Sequence, residues 1–419
     1  MFNKTVSFVF MLISLAVLTC SNSTPQKESI RSRLVNFKIE LTTVRSGYNH
    51  TDFWELPFAG AIPNAGENGQ PAFVLTTQKH NVSKSDVYYA LNEMRTDDLG
   101  RTWSGPIEHA ATLGRRKEPD GSIVCICDFT SKWHKASGKL LGTGHVAYYS
   151  KTEELIANPP RQTVYSVYDA EKRTWDPWTT LDMSDKKKFF NSGSGCSHRV
   201  DLPDGTILLP VYYYVPTADG REIYVITVVH CSFYGSKLTY LEHGDEMSVP
   251  EPRGLCEGSL TFYNGNYYIT MRNDLRGYVA TSKDGLHFEP FKPWTFDDGT
   301  DLGSYNTQQH WVTHSDGLFL VYTRKGANND HVFRHRAPLF IAQVDPERLC
   351  VIRETEKILV PNRGAGLGNF GITEVNENET WVTVAECMLP EGNERYGSDN
   401  SVYASKIFWE IPNKRALQY

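Results

Sequence analysis

Beyond residue 20 the 419-residue chain has no apolar run long enough to span a bilayer, and no Pro- or Ser-rich spacer or long charge run divides it. Positive charge is not in excess: 43 Lys+Arg against 49 Asp+Glu give a formal net charge of −6. The basic footprint that nucleic acid demands is therefore missing, although a locally basic pocket for an anionic ligand is not excluded. Long amphipathic helical patterns are also lacking. Cysteine is sparse and unpatterned. If Cys20 belongs to a leader, the remaining seven (Cys125, Cys127, Cys196, Cys231, Cys256, Cys350 and Cys387) are odd in number and scattered. That excludes a disulfide framework, and no CxxC spacing marks a zinc site. Most of these thiols read as small core residues. No cofactor is required by the sequence, and a structural metal is left open.

Aromatic residues are plentiful, with 22 Tyr, 20 Phe and 9 Trp, which favours the pleated, half-buried surfaces of strands. The first twenty residues are an exception to the soluble pattern. Lys4 and the apolar run Val6–Leu18 read as a signal peptide. The ending Leu-Ala-Val-Leu-Thr-Cys resembles a lipoprotein cleavage box, with Cys20 as the lipidated residue. Residues 21–31 read as a tether and 32–419 as one catalytic domain. The expected location is periplasmic, or lipid-anchored at the outer membrane of a Gram-negative bacterium, with membrane contact only through that lipid.

Turn signals recur between apolar runs: Pro119-Asp120-Gly121, Pro203-Asp204-Gly205, Asn264-Gly265, Ser315-Asp316-Gly317 and Asn376-Glu377-Asn378. Their spacing, mostly about 50–60 residues, suggests four-stranded propeller blades. Roughly 385 mature residues at about 55 per blade predict an all-β, seven-bladed β-propeller, with six blades as the alternative.

A second motif agrees. Thr96-Asp97-Asp98-Leu99-Gly100-Arg101-Thr102-Trp103 fits the sialidase-type Asp-box, Ser282–Phe288 is a shortened version and Asp169–Trp175 a degenerate one. The box is a turn device: an Asp caps, a Gly takes positive φ, and an aromatic packs. It argues for fold and hardly for function. Sialidases also resemble one another in an early Arg-Ile-Pro and a three-arginine carboxylate clamp. Here Ala61-Ile62-Pro63 stands at the corresponding place, and Ala cannot supply guanidinium geometry.

Polar residues interrupting strand-like runs mark a candidate axial site: His145, His198, Arg272, Gln309, His310, Arg324 and His331, followed by Arg334, His335 and Arg336. Converging at inner strand ends, such His and Arg residues would suit a uronate carboxylate. A third candidate is His50, in an aromatic segment between Tyr48 and Phe53-Trp54 with Asp52 and Glu55 nearby. An imidazole there can act as acid, base or nucleophile.

Taken together, the leader, the chain length, the degenerate Asp-boxes, the early His and the His/Arg-rich axis resemble glycoside hydrolase family 145. That family is related to propeller ulvan lyases and to the sialidase superfamily. The resemblance implies an exo-acting α-L-rhamnosidase that removes rhamnose α-1,4-linked to glucuronic acid on arabinogalactan side chains, with His50 as the single catalytic residue. The partner would be a plant-type or algal uronate-containing polysaccharide or oligosaccharide. The alternative it implies is a polysaccharide lyase, with Arg and His neutralising the carboxylate and Tyr212, Tyr213 or Tyr278 moving the C5 proton. A non-catalytic glycan-binding surface lipoprotein and a sialidase-like hydrolase complete the alternatives.

Overall fold

The computed structural model describes Met1 and residues 34–417, except 85, 157–159 and 218–219. The leader core, the tether and Cys20 lie outside the described residues. Within the unit Val35–Tyr419, the described strands form six antiparallel sheets. Each sheet is one blade of a β-propeller. The blades run over residues 52–108, 116–180, 192–243, 256–293, 310–360 and 370–409. The last takes its outer strand, Phe37–Arg45, from the start of the chain, paired from Phe37↔Trp409 to Arg45↔Val402. This pairing of the chain's first described strand with its last closes the ring.

The expected seven blades are six, and the reason is local. The turns at 203–205, 264–265, 315–317 and 376–378 do join the first two strands of blades 3 to 6. In blade 2 the equivalent turn is Lys135–Gly138, between strands Ile123–His134 and Lys139–Tyr149, and its polar residues gave no Asp-Gly or Asn-Gly signal. Pro119-Asp120-Gly121 instead lies at the other end of the same inner strand, where Lys117 pairs with Ile123. The first two blades are longer than the mean period, so dividing by that period overcounts.

The inner strand of every blade begins at one face of the molecule, the upper face, and ends at the other. The Asp-boxes lie on the lower face, in the turn between third and fourth strands. Asp98 accepts hydrogen bonds from the Thr102 backbone N–H and hydroxyl and from Thr96 Oγ1, and Gly100 takes φ +80°. In the second box Ser282 Oγ and the His287 and Leu286 N–H groups donate to Asp284. Asp169 caps its turn through the Glu171 and Lys172 N–H groups, and Trp175 is buried. Blade 5 repeats that turn at Asp345, which accepts from Glu347 and Arg348 N–H. It escaped the motif because no aromatic follows.

Packing between blades is aromatic with a few closed polar knots. Trp381 stacks on Phe73 at 4.5 Å, and Trp294 packs against Trp311 at 5.5 Å. Buried Glu93 accepts from Trp175 Nε1 and Tyr168 Oη and pairs with His109, tying blade 1 to blade 2. Such satisfied groups fix neighbour register as well as burying surface.

Candidate functional site at the upper end of the propeller axis

In a regular strand, consecutive side chains point to opposite faces. At the upper ends of the inner strands this rule is broken repeatedly. Non-glycine residues take left-handed φ at Leu56 (57°), Asp128 (51°), Cys196 (53°), Glu257 (48°) and Asn306 (47°), in blades 1 to 5. Three of them sit in register shifts: Glu55/Phe58, Cys127/Thr130 and Cys256/Ser259. Bulges re-aim side chains, and each such backbone costs about 1–3 kcal/mol, held only where the surroundings over-determine it. Four of the five place a polar or thiol side chain at the axis.

The groups gathered there divide into two halves. On one side, His145 Nε2 lies 3.4 Å from Asp128 Oδ2, and Tyr212 Oη is 3.3 Å from His145 Nδ1. The thiol of Cys196 hydrogen-bonds the Asp128 carboxyl, and its backbone N–H donates to Asp128 O at 3.1 Å. Arg161 donates to Tyr224 Oη at 2.9 Å. On the other side, Arg272 pairs with Glu257 at 2.5 Å and donates to Asn306 Oδ1 at 2.6 Å. Arg336 donates to Asn306 O, and Arg253 pairs with Asp274 at 2.5 Å. Arg334, at φ 57°, stands within electrostatic range of Arg272 and Arg253.

The two carboxylates are driven apart. Burial first, then the charge of Glu257, pushes Asp128 up to about 7. Burial would raise Glu257 as well, but the Arg272 guanidinium holds it below the ordinary range. Burial and Arg161 keep the His145 imidazole far below its usual value, hence neutral. Burial, then Glu257, raises the Tyr212 phenol. Burial and the neighbouring Arg272 and Arg334 lower Arg336 to about 10. A protonatable carboxyl, an ionised carboxylate, a Tyr–His pair and a bank of guanidinium groups can carry out acid–base chemistry on an anionic polyol. Among the described residues, the one group of His, Cys, Asp or Glu donors close enough to share a metal ion is Cys127, Asp128 and His145.

Of the sequence-derived candidates, His145, Tyr212 and Arg272 come together here, with Arg334 and Arg336 beside Arg272. The others do not join them. His198 and His310 stack face to face at 3.8 Å in the buried axis, where burial lowers both and leaves them neutral. Gln309 accepts from Thr270 Oγ1. Tyr278 reaches Glu251 at 3.5 Å within the blade-4 core. Arg324 is held by Glu356 and lies on Phe340. Exposed His331 packs on Tyr396 at the rim. Tyr213 is buried against Phe189. His50 is exposed at φ 62° and stacks on Tyr48 at 4.5 Å. Beside it a depression of about 440 Å³ is lined by Arg45, Asn49, Asp52, Trp54 and Lys79.

Sequence reasoning missed Asp128, Glu257, Arg161 and Cys196. Asp128 directly follows the Cys127 that was noted; what hid it was the bulge, which no local pattern announces. The Arg-Ile-Pro comparison also shifts. Ala61-Ile62-Pro63 ends the first inner strand at the lower face, whereas its upper end carries Glu55-Leu56-Pro57. The acid there, Glu55, accepts a hydrogen bond from Asn369 Nδ2 at 2.7 Å.

A larger cavity, about 590 Å³, opens on the lower face, lined by His198, Lys132 and Trp133 among others. Of its two carboxylates, Asp201 is tied to Arg199 at 2.8 Å and held ionised by that charge and Lys132 against burial, and Glu374 is paired with Arg415 at 3.7 Å. It offers no pair of groups poised for proton transfer, so size and chemistry separate, and the upper cluster is the better candidate.

No protein-family model matches the sequence, and no curated protein matches it. Solved structures do. A protein of unknown function from Dyadobacter fermentans superposes with TM-score 0.59 at 14% identity, covering 88% of this chain and 99% of that one. The Trypanosoma rangeli sialidase gives TM-score 0.59 at 12% identity over 88% of this chain. This chain spans 59% of that enzyme's length. The NanB sialidase of Streptococcus pneumoniae gives 0.56 at 11%, covering 87% and 70% of the two chains. At these identities the likeness is one of fold: the described strands form a six-bladed β-propeller, similar in fold to these sialidases.

Proposed function

We propose that the protein is a glycoside hydrolase acting on a uronate-containing glycan at the upper axial site. The observation that carries this is the convergence of Asp128, aimed by a left-handed bulge on the blade-2 inner strand, with the Tyr212–His145 pair and Arg272, which project from the second strands of blades 3, 2 and 4, and with the guanidinium neighbours of Arg272. The fold of the sialidase structures supports glycan chemistry in general. In this reading Asp128 gives its proton to the departing glycosidic oxygen. Tyr212 attacks the anomeric carbon as its phenolic proton passes to His145 Nδ1 in the same step; water then displaces the tyrosine from that carbon, giving its proton to the Asp128 carboxylate while His145 returns the proton to Tyr212. The arginines hold the uronate carboxylate. A tyrosine nucleophile departs from the usual pair of carboxylates, as sialidases do. Rhamnose α-1,4-linked to glucuronate is the linkage to test first.

A second reading puts rhamnosidase chemistry at His50. The depression beside it, which carries an aromatic ring and charges of both signs, favours this, with Arg45 and Lys79 flanking Trp54 at 5.1 and 5.5 Å and Asp52 and Glu108 in the lining. The test is incubation of the mature protein and its Asp128→Asn, Tyr212→Phe and His50→Gln variants with gum arabic and with rhamnosyl-glucuronate, following free rhamnose and unsaturated-uronate absorbance together. The axial reading expects rhamnose release that falls about 10²–10⁴-fold in the first two variants and survives in the third. Loss in His50→Gln alone selects the second reading. Absorbance of a C4=C5 double bond instead of rhamnose would make the same Tyr–His–Arg cluster a lyase.

A further inference from the structure

The upper site contains thiols that the hydrolytic reading does not use, and one of them shares a donor cluster with Asp128 and His145. Cys127 and His145 are direct cross-strand partners in blade 2. Asp128 follows Cys127 in sequence and would normally point to the opposite face of the sheet. The bulge between Cys127 and Thr130, with Asp128 at φ 51°, cancels that alternation. As a result, ligand atoms of Cys127, Asp128 and His145 all lie within 4.8 Å of one another. The claw is closed from blade 3. A Cβ on Gly195 would stand 2.0 Å from His145 Nδ1 and 2.7 Å from Asp128 Cβ, so only glycine lets the loop approach so closely. The next residue, Cys196, brings a second thiol onto the Asp128 carboxyl. Tyr212 Oη, 3.3 Å from His145 Nδ1, can accept a hydrogen bond from the Nδ1–H and so leave the Nε2 lone pair facing Asp128. Fixing the imidazole tautomer through its other nitrogen is what outer partners do at metal centres.

We propose that Cys127, Asp128 and His145, with Cys196 as the adjacent fourth donor, bind one thiophilic divalent cation of the Zn²⁺ type at the upper end of the axis. Sulfur, nitrogen and carboxylate oxygen in one small cluster match the borderline-soft preference of Zn²⁺ and not that of Ca²⁺ or Mg²⁺, which take oxygen ligands. Metal-to-ligand distances of about 2.0–2.3 Å need the donors to close by about an ångström, which side-chain rotation supplies. The loaded form has Asp128 as a ligand in place of a proton donor. The cation therefore separates two chemical states of the same site.

The test needs no substrate, so it stands whether or not hydrolysis is found. The mature protein is stripped with a chelator and titrated with Co²⁺, which reports thiolate ligation by a charge-transfer absorption. The expected result is a band saturating at one equivalent and reversed by Zn²⁺. It should be lost in Cys127→Ser, shifted to at least about tenfold weaker affinity in His145→Gln, and unchanged in Cys231→Ser, a buried thiol outside the cluster. Circular dichroism confirms that each variant is folded. No saturable band in the folded wild-type protein, or a band that survives Cys127→Ser, overturns the proposal. If Cys127→Ser does not fold, His145→Gln decides by the same affinity criterion.

Discussion

Removing the carboxylate of Glu257 exposes how tightly the upper site is built. In the native protein the Arg272 side chain is 7% exposed and that of Glu257 13%. Arg272 has two polar side-chain partners, Glu257 at 2.5 Å and Asn306 at 2.6 Å, and its Nε is buried without one. Glu257→Ala therefore leaves a buried cation with a single neutral acceptor. Breaking a buried pair in this way costs about 3–5 kcal/mol, or roughly two to four powers of ten in the folding equilibrium. The left-handed backbone at 257 adds a second expectation. Alanine keeps that strain of about 1–3 kcal/mol, whereas glycine relieves it. Glu257→Gly should therefore be the more stable of the two. A Glu257→Leu/Arg272→Met double variant, which removes both charges, should recover most of the loss. The assay is urea unfolding followed by circular dichroism, with the midpoint read at unchanged slope. Glu257→Ala within about 1 kcal/mol of wild type, or no more stable when Arg272 is also removed, would refute the view that this pair is a coupled, desolvated unit.

Other expectations follow from the packing and the turns. A methyl on Gly142 would stand 2.0 Å from Phe129 Cζ, so Gly142→Ala should lower stability by about 1–3 kcal/mol in the same assay. Asp98 is held well below the ordinary carboxylate range, first by the Thr102 N–H and then by the Thr102 hydroxyl. Its contribution is therefore full above about pH 4 and fades as the pH falls below that. The difference in melting temperature between wild type and Asp98→Asn should accordingly shrink on acidification; a difference that grows would reverse the sign. Burial pushes the thiols of Cys231 and Cys256 up to about 12, leaving little thiolate at neutral pH. Both should escape alkylation in the native protein and react after unfolding, as read by peptide mass spectrometry.

How much of this was legible in the sequence differs by level. Turn chemistry is local, so Asn264-Gly265 at φ 47° and 77° announced its hairpin, and the Asp98 box announced its loop. The blade count was not local: it depended on a polar turn at Lys135–Gly138 and on long connections that no composition rule separates from strands. Within the site, His145 and Arg272 stood out because a polar group in an apolar run is unusual, and Tyr212 entered only through the resemblance to propeller lyases. Asp128 and Glu257 did not stand out, because a residue's approach to the axis depends on a bulge that only the cross-strand partner reveals. Conversely, His198 and His310 stood out for the same reason as His145 and are a neutral stack in the wall.

The sequence by itself determined that the chain folds from short aromatic-rich strands joined by Asp- and Asn-led turns, with no excess of positive charge. Those properties depend on residues a few positions apart. Only the tertiary structure decided that six blades close on strand Phe37–Arg45, and that side chains from residues 128, 145, 196, 212, 257 and 272 meet at one end of the axis. The physical reason is that ring closure and left-handed bulges are set by contacts between distant segments, where desolvation and paired charge decide which groups share a site.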